Sequence, residues 1–392
     1  MNILCVGKLT YDIICPMEGM PLSGKKYMNP ERIENGGGEV ANAAYLLGKW
    51  GVKPVVAGVV GSDDFATKIK KELDSVQVDT SLIETSYEKP TILSFVMLNK
   101  LDGASTIVRT YKKDFATLRK QDLGMSLDII LADGHEYGAT HLMLERNPKA
   151  ISVLIAEENK PEILELCKFS KYVLCSKEFA EGITNIKCDF EKPVTLVNLY
   201  QTLKNRFPNN EIVVTLKNKG ALYSSNGEIK IMPGINAKVT DLTGAGDAFR
   251  GAFVYGLSNN FSIDKIITYA NIAAGLTIAN VGTRTAFPSL TDVINYYNQR
   301  FPNQGISGIN SPSVSQVNTK IQNSGTVVSP QTQPVSSELN VSNNTLTSHS
   351  QSVESQPAQN ESVNELGVIN RAQSTSSNSV TIDHKPEVTE TL

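Results

Sequence analysis

The chain has 392 residues, 40% hydrophobic and 20% charged, with a formal net charge of −3. A length of this order can bury a large core, and α/β folds near 300 residues are ordinary single domains. The near-neutral balance offers no basic face for nucleic acid, and no apolar run reaches the ~18 residues that a membrane span needs.

Residues 1–8 are too short and too soon interrupted for a signal peptide and read as a buried strand. Five cysteines, Cys5, Cys15, Cys167, Cys175 and Cys188, include no Cys-x-x-Cys pair. With no export signal they are expected to be reduced and structural, in a cytoplasmic protein.

Short apolar runs at 3–7, 54–60, 128–131, 150–155, 172–175 and 212–216 have the character of buried strands. Between them lie helix-period stretches at 40–50, 64–73, 139–145, 161–167 and 194–207, and then at 246–257, 263–280 and 290–301. This alternation predicts an α/β fold with a mostly parallel central sheet and helices on both faces. Residues 91–98 and 105–111 flank the turn-rich Asn99-Lys100-Leu101-Asp102-Gly103 and predict an antiparallel hairpin. With the irregular segment 11–35 it predicts a small β-sheet outside the main one, either a lid over a substrate cleft or a domain-edge flap. After Phe301 there is no Phe, Trp, Tyr or Cys. Such a Ser/Thr/Asn/Gln-rich stretch cannot bury enough apolar area to offset its ordering entropy. The expected organisation is one domain over 1–301 and a disordered tail over 302–392, which serves either as a flexible extension or as a docking segment.

The chemistry concentrates in two glycine clusters. In Asp241-Leu242-Thr243-Gly244-Ala245-Gly246-Asp247-Ala248-Phe249, small residues open a helix that carries Asp247 on its first turn. Free N–H groups there bind an anion and stabilise developing phosphate charge, and an adjacent carboxylate can take a proton from an incoming hydroxyl. The plainer reading is a tight turn with a stabilising first-turn charge. Asn35-Gly36-Gly37-Gly38-Glu39-Val40-Ala41-Asn42 reads as three glycines opening a helix. Asn42 offers both a donor and an acceptor, as a sugar hydroxyl requires; the alternative is a hinge with an incidental Asn. Gly24-Lys25-Lys26 lacks P-loop spacing, and no His pair has zinc spacing. Arg109 reads equally as a contact for an anionic group and as a solvated charge.

Both clusters, in this order, resemble the signature regions of the ribokinase/PfkB family of carbohydrate kinases, and the likeness extends over about residues 1–300. It implies a ribokinase-like fold and ATP-dependent phosphorylation of a sugar hydroxymethyl group, with ribose, fructose or a related ketose favoured. The alternatives are a nucleoside kinase of the same family and a catalytically silent sugar-binding regulator. By resemblance, Asp247 is the catalytic base, with Gly244, Ala245 and Gly246 as the anion hole. Asp12, on the loop after the first strand, Gly37, Gly38 and Asn42 are acceptor-sugar ligands. Thr215, Lys217, Gly220, Asn271 and Gly282 lie where the family holds the nucleotide. Asp241 and Thr243 match positions that bind a monovalent cation such as K⁺ in many members. Mg²⁺ is implied with ATP, but the usual Asn-x-x-Glu is here Cys175-Ser176-Lys177-Glu178. Glu178 is kept and the Asn is not, as in the ketohexokinase-like branch. The exposed edge of the lid sheet is a candidate homodimer contact.

Overall fold

In β1 (Ile3–Val6), Ile3 and Cys5 enter one core cluster and Leu4 and Val6 another, as the two-residue period of a strand requires. A strand buried on both faces belongs in a sheet with helices on each side. The computed structural model describes residues 1–28, 31–110, 117–120 and 124–301, all within the compact unit Met1–Ser315. The expected tail, 302–392, lies outside the described residues, as do Tyr111 of the expected hairpin and positions 29–30 of the expected lid.

The chain runs through β2 (Thr10–Met17), β3 (Ile33–Gly37), α1 (Glu39–Lys49), β4 (Val55–Gly61), α2 (Asp64–Ser75) and β5 (Asp79–Ser86). The hairpin β6 (Ile92–Asn99) and β7 (Ser105–Arg109) comes next, then β8 (Ile129–Ala132), α3 (Tyr137–Arg146), β9 (Ile151–Ala156), α4 (Pro161–Phe169) and β10 (Tyr172–Ser176). The remainder is α5 (Lys177–Thr184), α6 (Pro193–Arg206), β11 (Glu211–Thr215), β12 (Ala221–Ser225), β13 (Glu228–Met232), α7 (Ala245–Ser258), α8 (Ile263–Thr277) and α9 (Leu290–Arg300).

The main sheet has nine strands in the order β13-β12-β11-β10-β9-β8-β1-β4-β5. From β11 to β5 neighbouring strands pair in parallel, and the antiparallel β12–β13 hairpin finishes one edge. Helices α1, α2, α7, α8 and α9 supply one core cluster, and α3, α4, α5 and α6 the other. Strand order runs outward in both directions from the β1–β8 boundary. Open α/β sheets bind ligands at such a switch point, outside the carboxyl ends of the strands. A second sheet of four strands, ordered β3-β2-β6-β7, contains the anticipated β6–β7 hairpin.

The structure departs from the sequence reading in several places. Asp12 lies within β2 rather than on a loop, and Gly36 and Gly37 complete β3, so that only Gly38 caps α1. Edge strand β5 has one buried residue, Ile83, and therefore lacks an apolar run. Strand β12 joins β13 through Asn226-Gly227, both at positive φ (53° and 80°), which is the Asn-Gly signature of a two-residue hairpin loop. Helix α5 is one short segment capped by Ser176, whose hydroxyl accepts the Phe179 N–H at 3.1 Å.

Gly220 shows where the backbone leaves no choice. Its φ is +92°, and a Cβ there would lie 2.0 Å from the Met232 carbonyl oxygen. Gly220→Ala is expected to destabilise the protein by about 2 kcal/mol or more, read as a lower urea midpoint at unchanged m-value.

Candidate active site at the carboxyl edge of the sheet

The site is assembled where β1, β8 and β9 end and α1 and α7 begin. Gly38 caps α1 at φ +99°, so close to the strand exit that a Cβ would lie 2.1 Å from the Lys8 carbonyl. Gly244 caps α7 in the left-handed region, at φ 80°. The N–H groups of the first turn of α7, from Ala245 to Asp247, have no carbonyl partner within the helix and carry the positive end of the helix dipole.

Asp247 is held from both sides. Asn42 Nδ2 on α1 donates to its Oδ2 at 2.8 Å, and Arg250 Nη1, one turn along α7, donates to its Oδ1 at 2.8 Å. The other Arg250 nitrogen, Nη2, pairs with Glu157, just past β9. The Asp247 side chain stays 15% exposed and that of Arg250 11%. Each carboxylate oxygen has two lone pairs, so these bonds leave acceptor capacity. Burial pushes the Asp247 carboxyl up to about 6, with Arg250 and Asn42 opposing it and the Glu39 charge adding to it.

A second charged group lies alongside. Glu39, on the first turn of α1, faces Lys8 Nζ at 3.3 Å and Arg109 Nη1 at 3.8 Å. Burial raises its carboxyl, but Lys8, Arg109 and Arg250 outweigh that and hold it at about 2. Arg109, from β7, thus ties the small sheet to the start of α1. Asp133, past β8, accepts the backbone N–H groups of Lys8 and His135, each at 2.9 Å, and burial with the nearby Glu39 raises its carboxyl.

On the small sheet, Asp12 is buried beside the glycines. Thr10 Oγ1 donates to its Oδ1 at 2.8 Å, and a Cβ on Gly37 would fall 2.2 Å from its Oδ2. Burial raises the Asp12 carboxyl, against hydrogen bonds from Ser94 and Thr10. Arg284, 2% exposed, reaches the same region from the turn between α8 and α9.

The structure places the remaining residues singled out from sequence more dispersedly. Thr215 ends β11, Lys217 begins the single turn Lys217–Lys219, and Lys217 Nζ lies 2.6 Å from Glu178 Oε1 on α5. Asn271, on α8, spends its amide N–H groups on the carbonyls of Met232 and Pro233 at 2.9 and 3.3 Å. Asp241 is fully buried and accepts the N–H groups of Thr243 at 2.8 Å and Gly282 at 2.9 Å. It therefore ties the Thr243 loop to the Gly282 turn. Leu242 N–H donates to the Gly103 carbonyl in the β6–β7 turn at 2.9 Å.

Among the described residues no group of three or more His, Cys, Asp or Glu could hold a metal. The Glu178 side chain is 56% exposed and paired with Lys217. That suits an outer contact to a hydrated Mg²⁺, which keeps most of its waters. A separate cavity of about 490 Å³ lies beside Tyr172, Glu211 and Tyr223, at the amino ends of β10 and β11, away from Asp247.

The profile of the pfkB family carbohydrate kinases matches residues 1–290. The chain belongs to that family. Its members phosphorylate with ATP, and this protein is a sugar or nucleoside kinase of the ribokinase type. The ribokinase of Lactococcus lactis is 26% identical over 308 residues, covering 74% of this chain and 95% of that protein. The bifunctional protein HldE of Aliarcobacter butzleri is 26% identical over 351 residues, covering 83% of this chain and 70% of its own. Ribokinase from Arabidopsis thaliana, solved with ribose and ATP, superposes with a TM-score of 0.63 at 20% identity, covering 75% of this chain and 97% of that one.

Arg250, Glu39, Lys8, Asp133, Glu157 and Arg284 also face the candidate site and were not singled out from the sequence. Arg250 carried a usable signal, since it lies three residues from Asp247 and so on the same helix face. The others meet only through the fold.

Proposed function

We propose that this protein transfers the γ-phosphoryl group of ATP to the hydroxymethyl group of a neutral sugar, with ribose or a ketohexose favoured over a nucleoside. The observation that supports it most is the convergence of Asn42, Asp247 and the first turn of α7 at the carboxyl edge of the sheet. ATP supplies the phosphoryl group; Glu178 would hold a Mg²⁺ through its waters, and that ion would offset phosphate charge. Asp247 accepts the proton of the acceptor hydroxyl as that oxygen forms its bond to phosphorus and the bridging oxygen leaves. The N–H groups of Ala245 and Gly246 receive the charge that develops on the phosphoryl oxygens. Asp12, Gly37, Gly38 and Asn42 hold the sugar, and the small sheet acts as a lid that keeps water from the phosphoryl group. Thr215, Lys217, Gly220, Asn271 and Gly282 line the nucleotide side in this reading, and the loop of Asp241 and Thr243 takes a monovalent cation.

Electrostatics favour a neutral acceptor. Within the described site, Lys8 and Arg109 face Glu39, Arg250 faces Asp247 and Glu157, and Arg284 faces Glu72. No cation there is left over for a charged group on the acceptor. A panel of pentoses, ketohexoses and nucleosides in a coupled ADP-release assay tests the reading. Turnover of a neutral sugar is expected. Activity on nucleosides alone would reverse the ranking, and sugar binding by calorimetry with no turnover would make the protein a silent regulator.

A further inference from the structure

Arg284 makes four ordered contacts. Its Nε donates to Asn42 Oδ1 at 2.9 Å, its Nη1 to Glu72 Oε2 at 2.9 Å and its backbone N–H to Asn35 Oδ1 at 3.2 Å. The guanidinium lies over the Tyr45 ring, 5.3 Å from its centre. Glu72 Oε2 also accepts the Gly36 N–H at 2.8 Å. A Cβ on Gly36 would fall 2.3 Å from Arg284 Nη1, so this glycine makes room for the guanidinium.

The Asn42 amide has a donor end and an acceptor end, exchanged by a half-turn about its last torsion, whereas arginine offers only donors. With Arg284 Nε on one side, the Asn42 oxygen must face it, and the NH₂ group must face Asp247, where it donates to Oδ2 at 2.8 Å. The reversed amide would set its oxygen against the carboxylate and leave the Arg284 N–H unmatched in a buried place, which costs about 1–3 kcal/mol. We infer that Arg284 is a positioning residue, which fixes the amide of Asn42 so that Asn42 orients and supports the Asp247 carboxylate. The inference rests on the reading of Asp247 as the base. The other groups that face Asp247 are Arg250 from its own helix, Glu157 past β9 and Glu39 on α1.

The test uses the full-length chain and the variants Arg284→Gln, Asn42→Ala and the double variant. Glutamine can both donate and accept, so it no longer dictates the amide's direction. Two readouts are taken: steady-state kinetics with the preferred sugar, and titration of the Asp247 carboxyl carbon by ¹³C NMR, which needs no turnover. R284Q is expected to lower kcat by about 10²-fold, with KM for ATP little changed. It is also expected to move the Asp247 titration upward, because a hydrogen bond to the ionised form is lost. In the N42A background R284Q should add at most roughly a twofold effect, since coupled residues are non-additive. An unmoved titration, or an R284Q loss of the same size in both backgrounds, overturns the inference. If R284Q does not fold, Glu72→Gln replaces it, at a side chain 29% exposed. An upward shift in E72Q that vanishes in E72Q/N42A supports the relay, and the absence of any shift overturns it. A wild-type protein without turnover would instead overturn the kinase reading, while the titration still reports on the relay.

Discussion

Asp247→Asn is expected to lower kcat by about 10³-fold or more while leaving KM for both substrates within a small factor. General-base removal typically costs 10²–10⁴-fold, and loss confined to kcat marks an interaction made in the transition state. The substitution preserves shape, and an amide oxygen can still accept from Arg250 or Asn42. Burial already disfavours the charged form, pushing the carboxyl up to about 6. Removing that charge therefore relieves desolvation as it forfeits hydrogen bonds, and the thermal midpoint should move little. Stopped-flow or coupled kinetics with a parallel melt makes the comparison. Near-normal turnover, with the fold intact, would remove Asp247 from the chemistry.

The second large effect concerns Arg250 and is visible in pH. The base works ionised, so kcat/KM should fall tenfold per pH unit as pH drops through about 6, where burial has moved the Asp247 carboxyl. Arg250 opposes that burial, and with its guanidinium absent the Asp247 carboxyl rises further. Arg250→Met should therefore shift the acid limb upward. At about pH 6.5 the variant loses tenfold or more, and by about pH 8.5 most of the activity returns. Glu157, whose side chain is 43% exposed, tolerates the loss of its partner through solvation. A pH-independent loss would mean that Arg250 acts by packing alone.

Periodicity made most of the architecture legible. Continuous apolar runs such as 3–7 and 212–216 are strands because both of their faces are buried, and the helix between Gly244 and Asn259 announces itself by small residues before an apolar face. What escaped that reading was structure whose signal is not burial. The edge strand β5 is mostly polar, and β12, unlike the strand-like run 229–232 that becomes β13, depends on an Asn-Gly turn for its pairing.

The α/β class, the two glycine clusters, and the pairing of small residues with Asp247 on one helix turn can all be read along the chain. Each of these is local, set by φ freedom, by the side-chain period or by the first turn of a helix. That Asn42 meets Asp247 across 205 residues, and Arg284 meets Asn42 across 242, follows from the folded arrangement alone. Tertiary packing also decided that Gly36 and Gly37 would serve as space for the side chains of Arg284 and Asp12 rather than as a helix start. The reason is physical: the direction of an amide and the ionisation of a carboxylate depend on which groups the fold packs against them, and spacing along the chain does not record that.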